Sequence, residues 1–256
     1  MKRILSLFFI FLVAGSLVVQ AQVTEDQMPK KVEVAKSHWL ISLGGGVANQ
    51  TALPNYSVTS PNLSNGAANN RSPYLFWKVG YRFQNKHQAA FILEKTVATN
   101  SFLYTGDYSE GLGANREIDC IIANLEYSYN LFNTKRFWFG PSVQLGVGLG
   151  TQNSTAFFDR GREANFNTPV GRSFHKYDVV EHSIPSHIYN FGIGTNFGIK
   201  VPNSHFIIGT DIRWLYSFSP VHEYKIKYQY NAQILDFTVN SPLSNINLGI
   251  KLAYLF

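Results

Sequence analysis

The chain has 256 residues and a net charge of +6, with 45% hydrophobic, 15% aromatic and only 15% charged residues. So small and dispersed a positive charge excludes nucleic acid as a partner, and a single cysteine excludes an intramolecular disulfide. No apolar run reaches the ~20 residues a membrane helix needs, which excludes a helical membrane protein. At the N-terminus Lys2 and Arg3 precede an apolar run from Ile4 to Val19 and a small residue, Ala21. That order predicts a secretory signal peptide over 1–21, cut after Ala21, with no cysteine nearby to carry a lipid anchor. Residues 22–37 are polar and read as a periplasmic leader; 38–256 read as one β domain.

Eight strand candidates follow, at 39–48, 74–83, 88–104, 117–132, 137–151, 187–201, 205–218 and 244–256. Tight turns at 84–87, 133–136 and 202–204 carry the residue types that tolerate turn geometry. They alternate with long connections at 50–73, 106–116, 152–186 and 219–242. Short turns on one side and long loops on the other, with an even strand count, are the pattern of an antiparallel up-and-down transmembrane β-barrel. In the last connection Tyr224, Ile226, Tyr228 and Tyr230 alternate with polar residues, and Pro220 and Pro242 flank it almost symmetrically. Because proline cannot donate to a ladder, this reads as a hairpin rising past the membrane and interrupted once on each strand. A ten-stranded barrel is the alternative.

One face of each strand is apolar and aromatic, for example Leu75, Trp77, Val79, Tyr81 and Phe83, and the last strand ends on Leu252, Tyr254 and Phe256. The other face is rich in glycine, which suits a narrow, curved barrel filled by side chains. Gly146 to Gly150 therefore reads as a strand face, since it lacks the strand–turn–helix context of a phosphate-binding loop. The inward charges are Lys78, Arg82, Lys200, Arg213 and Lys251 against Glu94, Glu126 and Asp211. Buried charges must pair, so these predict a network that plugs the lumen, with a proton or ion path as the alternative. Lys95 breaks the apolar face, by a bulge or by snorkelling to an interface. Cys120 reads as a small strand filler.

Barrel enzymes need a nucleophile beside a base. Asp178, Glu181, His182, Ser183 and His187 cluster before the sixth strand, but adjacent His182 and Ser183 point to opposite faces of a strand. The remaining histidines match no metal-site spacing, so no metal and no cofactor is expected.

The signal peptide, the three turns and four loops, and the terminal Tyr254-Leu255-Phe256 together resemble the small OmpA/OmpX/OmpW-type outer-membrane barrels. The resemblance covers the mature chain and is strongest to the "outer membrane protein beta-barrel" group of Bacteroidetes. It implies an exported protein of the bacterial outer membrane, inserted by the barrel-assembly machinery through Leu252, Tyr254 and Phe256. It also implies a monomer in contact with lipid and lipopolysaccharide, without an appended peptidoglycan-binding domain. Lipid A deacylase barrels resemble the chain only weakly, because Tyr189 stands where their stretch beginning at a residue like His187 places the serine. The expected function is a non-enzymatic barrel with a filled lumen, acting in surface interaction or envelope integrity, with 50–73 and the tyrosine-rich 224–230 as candidate surfaces for a ligand. The alternatives are a lipid A or phospholipid hydrolase using His182, Ser183 or His187, and a narrow path for small apolar molecules.

Overall fold

The computed structural model describes residues 37–51, 55–58, 60–64, 71–84, 86–134, 136–151, 161–183 and 187–256. The expected signal peptide and all of the leader except Ser37 lie outside the described residues. Strict alternation of apolar and small or polar residues makes strands, and thirteen of them join one antiparallel sheet. They are β1 (His38–Gln50), β2 (Asn55–Tyr56), β3 (Leu63–Ser64), β4 (Arg71–Phe83), β5 (His87–Thr105), β6 (Gly111–Tyr129), β7 (Phe132–Asn133), β8 (Phe137–Thr151), β9 (Arg162–Thr168), β10 (Gly171–Ser183), β11 (Ile188–Lys200), β12 (Phe206–Tyr230) and β13 (Gln233–Leu255).

Eight of these strands close on themselves, in the order β1-β4-β5-β6-β8-β11-β12-β13 and back to β1. The register shows how. The hydrogen-bonded row that leaves β1 at Leu40 passes Gly80, Ala90, Glu126, Gln144, Gly192, Leu215 and Asn245, and re-enters β1 at Gln50. That ten-residue stagger over eight strands tilts the strands by roughly 40° from the axis, within the range of closed barrels. A closed ladder has no edge to fray, so unheated protein should migrate differently from boiled protein in gels. Identical mobility would contradict the closure.

The outward faces are apolar and exposed, as at Leu75, Leu125, Leu145 and Leu248, while Lys78, Glu94, Glu126 and Arg213 point inward and are at most 3% exposed. A polar interior under an apolar exterior is an inverted soluble fold and fits hydrocarbon outside. Aromatic contacts gather at the rim of the short turns, where Trp39 meets Tyr81 at 5.1 Å and Tyr254 meets Phe206 at 5.0 Å. Others gather at the rim of the long connections, where Trp214 meets Tyr216 at 5.9 Å.

β12 and β13 are far longer than a membrane requires: 25 residues extend about 80 Å against an apolar belt of about 25 Å. Pro220 faces Pro242, and the register shifts on both sides of that pair, so the two strands break together and then continue upward as one hairpin. This settles the count at eight barrel strands. Two sequence expectations need correction. Residues 152–186, read as a long loop, contain the hairpin β9–β10, which adds to the upper half of β12. Residues 106–116, also read as a loop, include the start of β6, which pairs with β5 to their common tip. With β2 on β13 and β3 on β5, these upper halves form a folded β layer on the side of the long connections.

Candidate functional site

The lumen is filled in successive layers. At the end of the short turns Trp138, 0% exposed, packs with Leu40, Ile207 and Ala253. Arg82 lies 4.4 Å from the indole centroid and Lys251 5.0 Å, so two cations use the ring faces. Gly198 is what admits the indole, because a Cβ there would collide with its ring nitrogen.

Above it lies the charge network. Lys78 pairs with Glu126, and Arg213 pairs with Asp211 and, at 2.7 Å, with Glu94. Asn247 donates to the second oxygen of Glu94 at 2.6 Å, and Lys251 donates to Asn196 at 2.5 Å. Arg213 also lies 4.9 Å over the ring of Phe76. Seven of the eight inward charges read from the sequence are thus held together or beside one another in the buried interior. Lys200 stands apart at the rim of the short turns, where it donates to Asn133 and to the Thr134 carbonyl. Two apolar layers complete the filling: Ala48, Tyr74, Phe76 and Ile92, then Ala98, Ile118, Cys120, Ile122, Ile188, Val221 and Leu243.

The outer layer has a core of its own. Tyr224, Ile226, Tyr228 and Tyr230 of β12 pack against Phe102 and Tyr104 of β5, Tyr177 of β10 and Phe237 of β13. Tyr104 stacks on Tyr228 at 4.4 Å. The tyrosine face expected to be a binding surface is therefore buried; what β12 shows to solvent there is Lys225 and Lys227. A polar lock ties the layer together. His175, 0% exposed, shares a 2.8 Å hydrogen bond with the Tyr228 hydroxyl and lies 3.7 Å from Glu110. The Tyr230 hydroxyl donates to Glu110 and to Asp107 at the β5–β6 tip.

Burial lowers the pKa of His175 against the opposing pull of Glu110. For Glu110 burial pushes upward, but hydrogen bonds from the Glu110 and Tyr108 backbone amides outweigh it and hold the carboxyl below its usual range. Both shifts have one sign of consequence. A histidine with a lowered folded value binds fewer protons than in the unfolded chain as pH falls below about 6.5, so stability is lost there. A carboxylate with a lowered value loses its contribution further down, as pH falls below about 4.5. The protection of amides at the tips of β5–β6 and β12–β13, as exchange rates divided into the intrinsic rate at each pH, should therefore fall between pH 7 and pH 5 in the wild type. In His175→Phe that first step should vanish; an unchanged pH profile in the variant would contradict the assignment.

The weak catalytic candidates His182 and Ser183 stand at the end of β10, and His187 stands before β11. Ser183 is exposed and lies opposite Glu223, while His182 lies opposite Tyr224. His187 is exposed before β11, its ring 6.4 Å from that of Tyr189. The carboxylates nearby are engaged elsewhere: Glu181 with Lys225 at 2.5 Å and Asp178 with Lys176 at 3.6 Å. Among the described residues no group of three or more His, Cys, Asp or Glu side chains could hold a metal ion. Leu252, Tyr254 and Phe256 lie along the seam that closes the barrel: Leu252 pairs with Leu43 and Ile208, and the Phe256 amide donates to the Trp39 carbonyl at 3.0 Å. Sequence reading missed His175, Glu110 and Trp138. The alternation of Ser173, His175 and Tyr177 was the available signal for β10, obscured by its polar members.

Neither a protein-family profile nor a curated relative matches the sequence. Solved structures do. The outer membrane protein OprG from Pseudomonas aeruginosa superposes with a TM-score of 0.51 at 10% identity, over 87% of this chain and 97% of that one. The outer membrane protein AlkL gives 0.40 at 13% identity, over 90% and 95%. The Yersinia pestis outer membrane protein Ail gives 0.33 at 13%, over 86% and 100%. At such identities the OprG likeness establishes the fold alone: a closed eight-stranded antiparallel barrel.

Proposed function

We propose that this chain is a non-enzymatic barrel of the bacterial outer membrane that conducts no solute and presents a folded β layer for contact at the cell surface. The observation that carries this reading is the succession of buried layers from Trp138, through the Arg213 network, to the tyrosine core of the outer layer. An eight-stranded barrel is only wide enough for its own side chains, and here ion pairs and aromatic rings occupy that width. A rigid outer layer with its own core can hold a contact surface in place in a way that unstructured loops cannot. Exposed apolar positions on that layer include Tyr108 at the β5–β6 tip, Val170 at the β9–β10 turn, Val180 at the β10 irregularity and Ile234 beside the β12–β13 tip.

An epitope tag inserted at Val170 and a liposome-swelling assay test this together. The expected result is a tag accessible to antibody on intact cells, and liposomes that admit arabinose no faster than protein-free ones. Porin-like swelling, or a tag reached only after the outer membrane is permeabilised, would overturn the reading.

A further inference from the structure

The lipid-facing wall is not uniformly convex. Between β1 and β6 a groove of about 500 Å³ crosses four strands, roughly 14 Å at three strand spacings. Its floor is the register row Gly44, Phe76 and Glu94. The lower wall is Leu43, Trp77 and Leu93, and the upper wall is Leu75, Lys95 and Ile121. The upper wall is one side chain short at its β1 end, because the residue in register with Leu75 is Gly45.

Two observations say what fills it. The barrel stagger makes such a row climb about 3 Å per strand from β1 toward β6, so the groove descends from Lys95 toward Leu43 and the bilayer midplane. And its high end carries a cation. Lys95 faces outward, in unbroken register with β6 and as the last residue of β5 paired with β4, and its side chain is 57% exposed. Asp119 takes one of its three donors at 3.0 Å, and an ammonium has two more to give. Above this level the outward face turns polar at Asp119 and Glu117, which marks the headgroup boundary.

We propose that this groove is a binding site for one lipid A molecule of the outer leaflet, with an acyl chain in the groove and a glucosamine phosphate against Lys95. The inference rests on the outer-membrane reading above, which places the side of the long connections, and therefore Lys95, at the lipopolysaccharide leaflet. An acyl chain meets only apolar walls along the descent, and the phosphate meets the cation where the chain must leave the hydrocarbon.

Native mass spectrometry of the detergent-purified full chain, titrated with bisphosphorylated lipid A, tests it. The expected result is saturable one-to-one retention, weakened at least tenfold in Lys95→Met and restored in Lys95→Arg. Leu93→Trp, which crowds the groove, should weaken retention in the same way, while Ile212→Trp on the far wall should not. Equal retention by wild type and Lys95→Met would overturn the proposal. So would equal affinity for dephosphorylated lipid A or for phosphatidylglycerol, which would make the groove an ordinary stretch of annular lipid contact. Heat-modifiable migration, run on each sample, separates the two claims: a barrel that folds but retains lipid A indiscriminately removes this site alone, whereas loss of the mobility shift in the wild type removes the barrel reading beneath it.

Discussion

Replacing Arg213 by Met should destabilise the barrel by about 3–5 kcal/mol, because removing one partner strands the other charges in the interior. Arg213 is 1% exposed and holds both Asp211 and Glu94, which are themselves at most 2% exposed. Without it Glu94 keeps only the Asn247 amide, and two carboxylates face each other in an interior with little water to screen them. The denaturant midpoint of protein in bilayers, read by the heat-modifiable gel shift, measures this. Neutralising the carboxylates as well, in Arg213→Met with Glu94→Gln and Asp211→Asn, should recover most of the loss, since an ion cluster replaced as a whole is often near neutral. A single variant as stable as wild type would mean that solvent already reaches these groups.

Trp138→Ala should cost about as much, roughly 3–5 kcal/mol for deleting a buried indole. The residue is 0% exposed and is the apolar floor of the lumen. Its removal also leaves Arg82 and Lys251 facing a void where each had a ring face. Trp138→Phe keeps a ring between the two cations and should lose much less. The same midpoint measurement distinguishes them; equal, small losses for Ala and Phe would show that neighbouring side chains collapse into the space.

How much of this was legible in the sequence follows from the range of each interaction. Alternation is local, so the barrel strands and their inward charges could be read directly, and β8 falls at its expected 137–151. Pro220 and Pro242 betrayed the long hairpin because proline acts on its own strand. Pairing across the lumen is different in kind. Glu94 and Arg213 are 119 residues apart, and only the stagger of the closed circuit decides that they meet while Lys200 does not join them. The tyrosines of β12 were misjudged as a surface for the same reason, since an alternating aromatic face looks alike whether solvent or a second sheet lies against it. Here the partners are β5 and β10, and β10 itself was hidden because its inward row includes Ser173 and His175. The lipid groove depends on how rows climb around the barrel, which no single segment encodes.

Single-channel recording in planar bilayers shows whether the lumen is closed by its own side chains. Reconstituted wild-type protein, verified as folded by its gel shift, should produce no stable conductance steps at either polarity, because a narrow interior filled from Trp138 to Tyr228 leaves no continuous water path. Regular, long-lived unitary currents from the wild type would contradict the account.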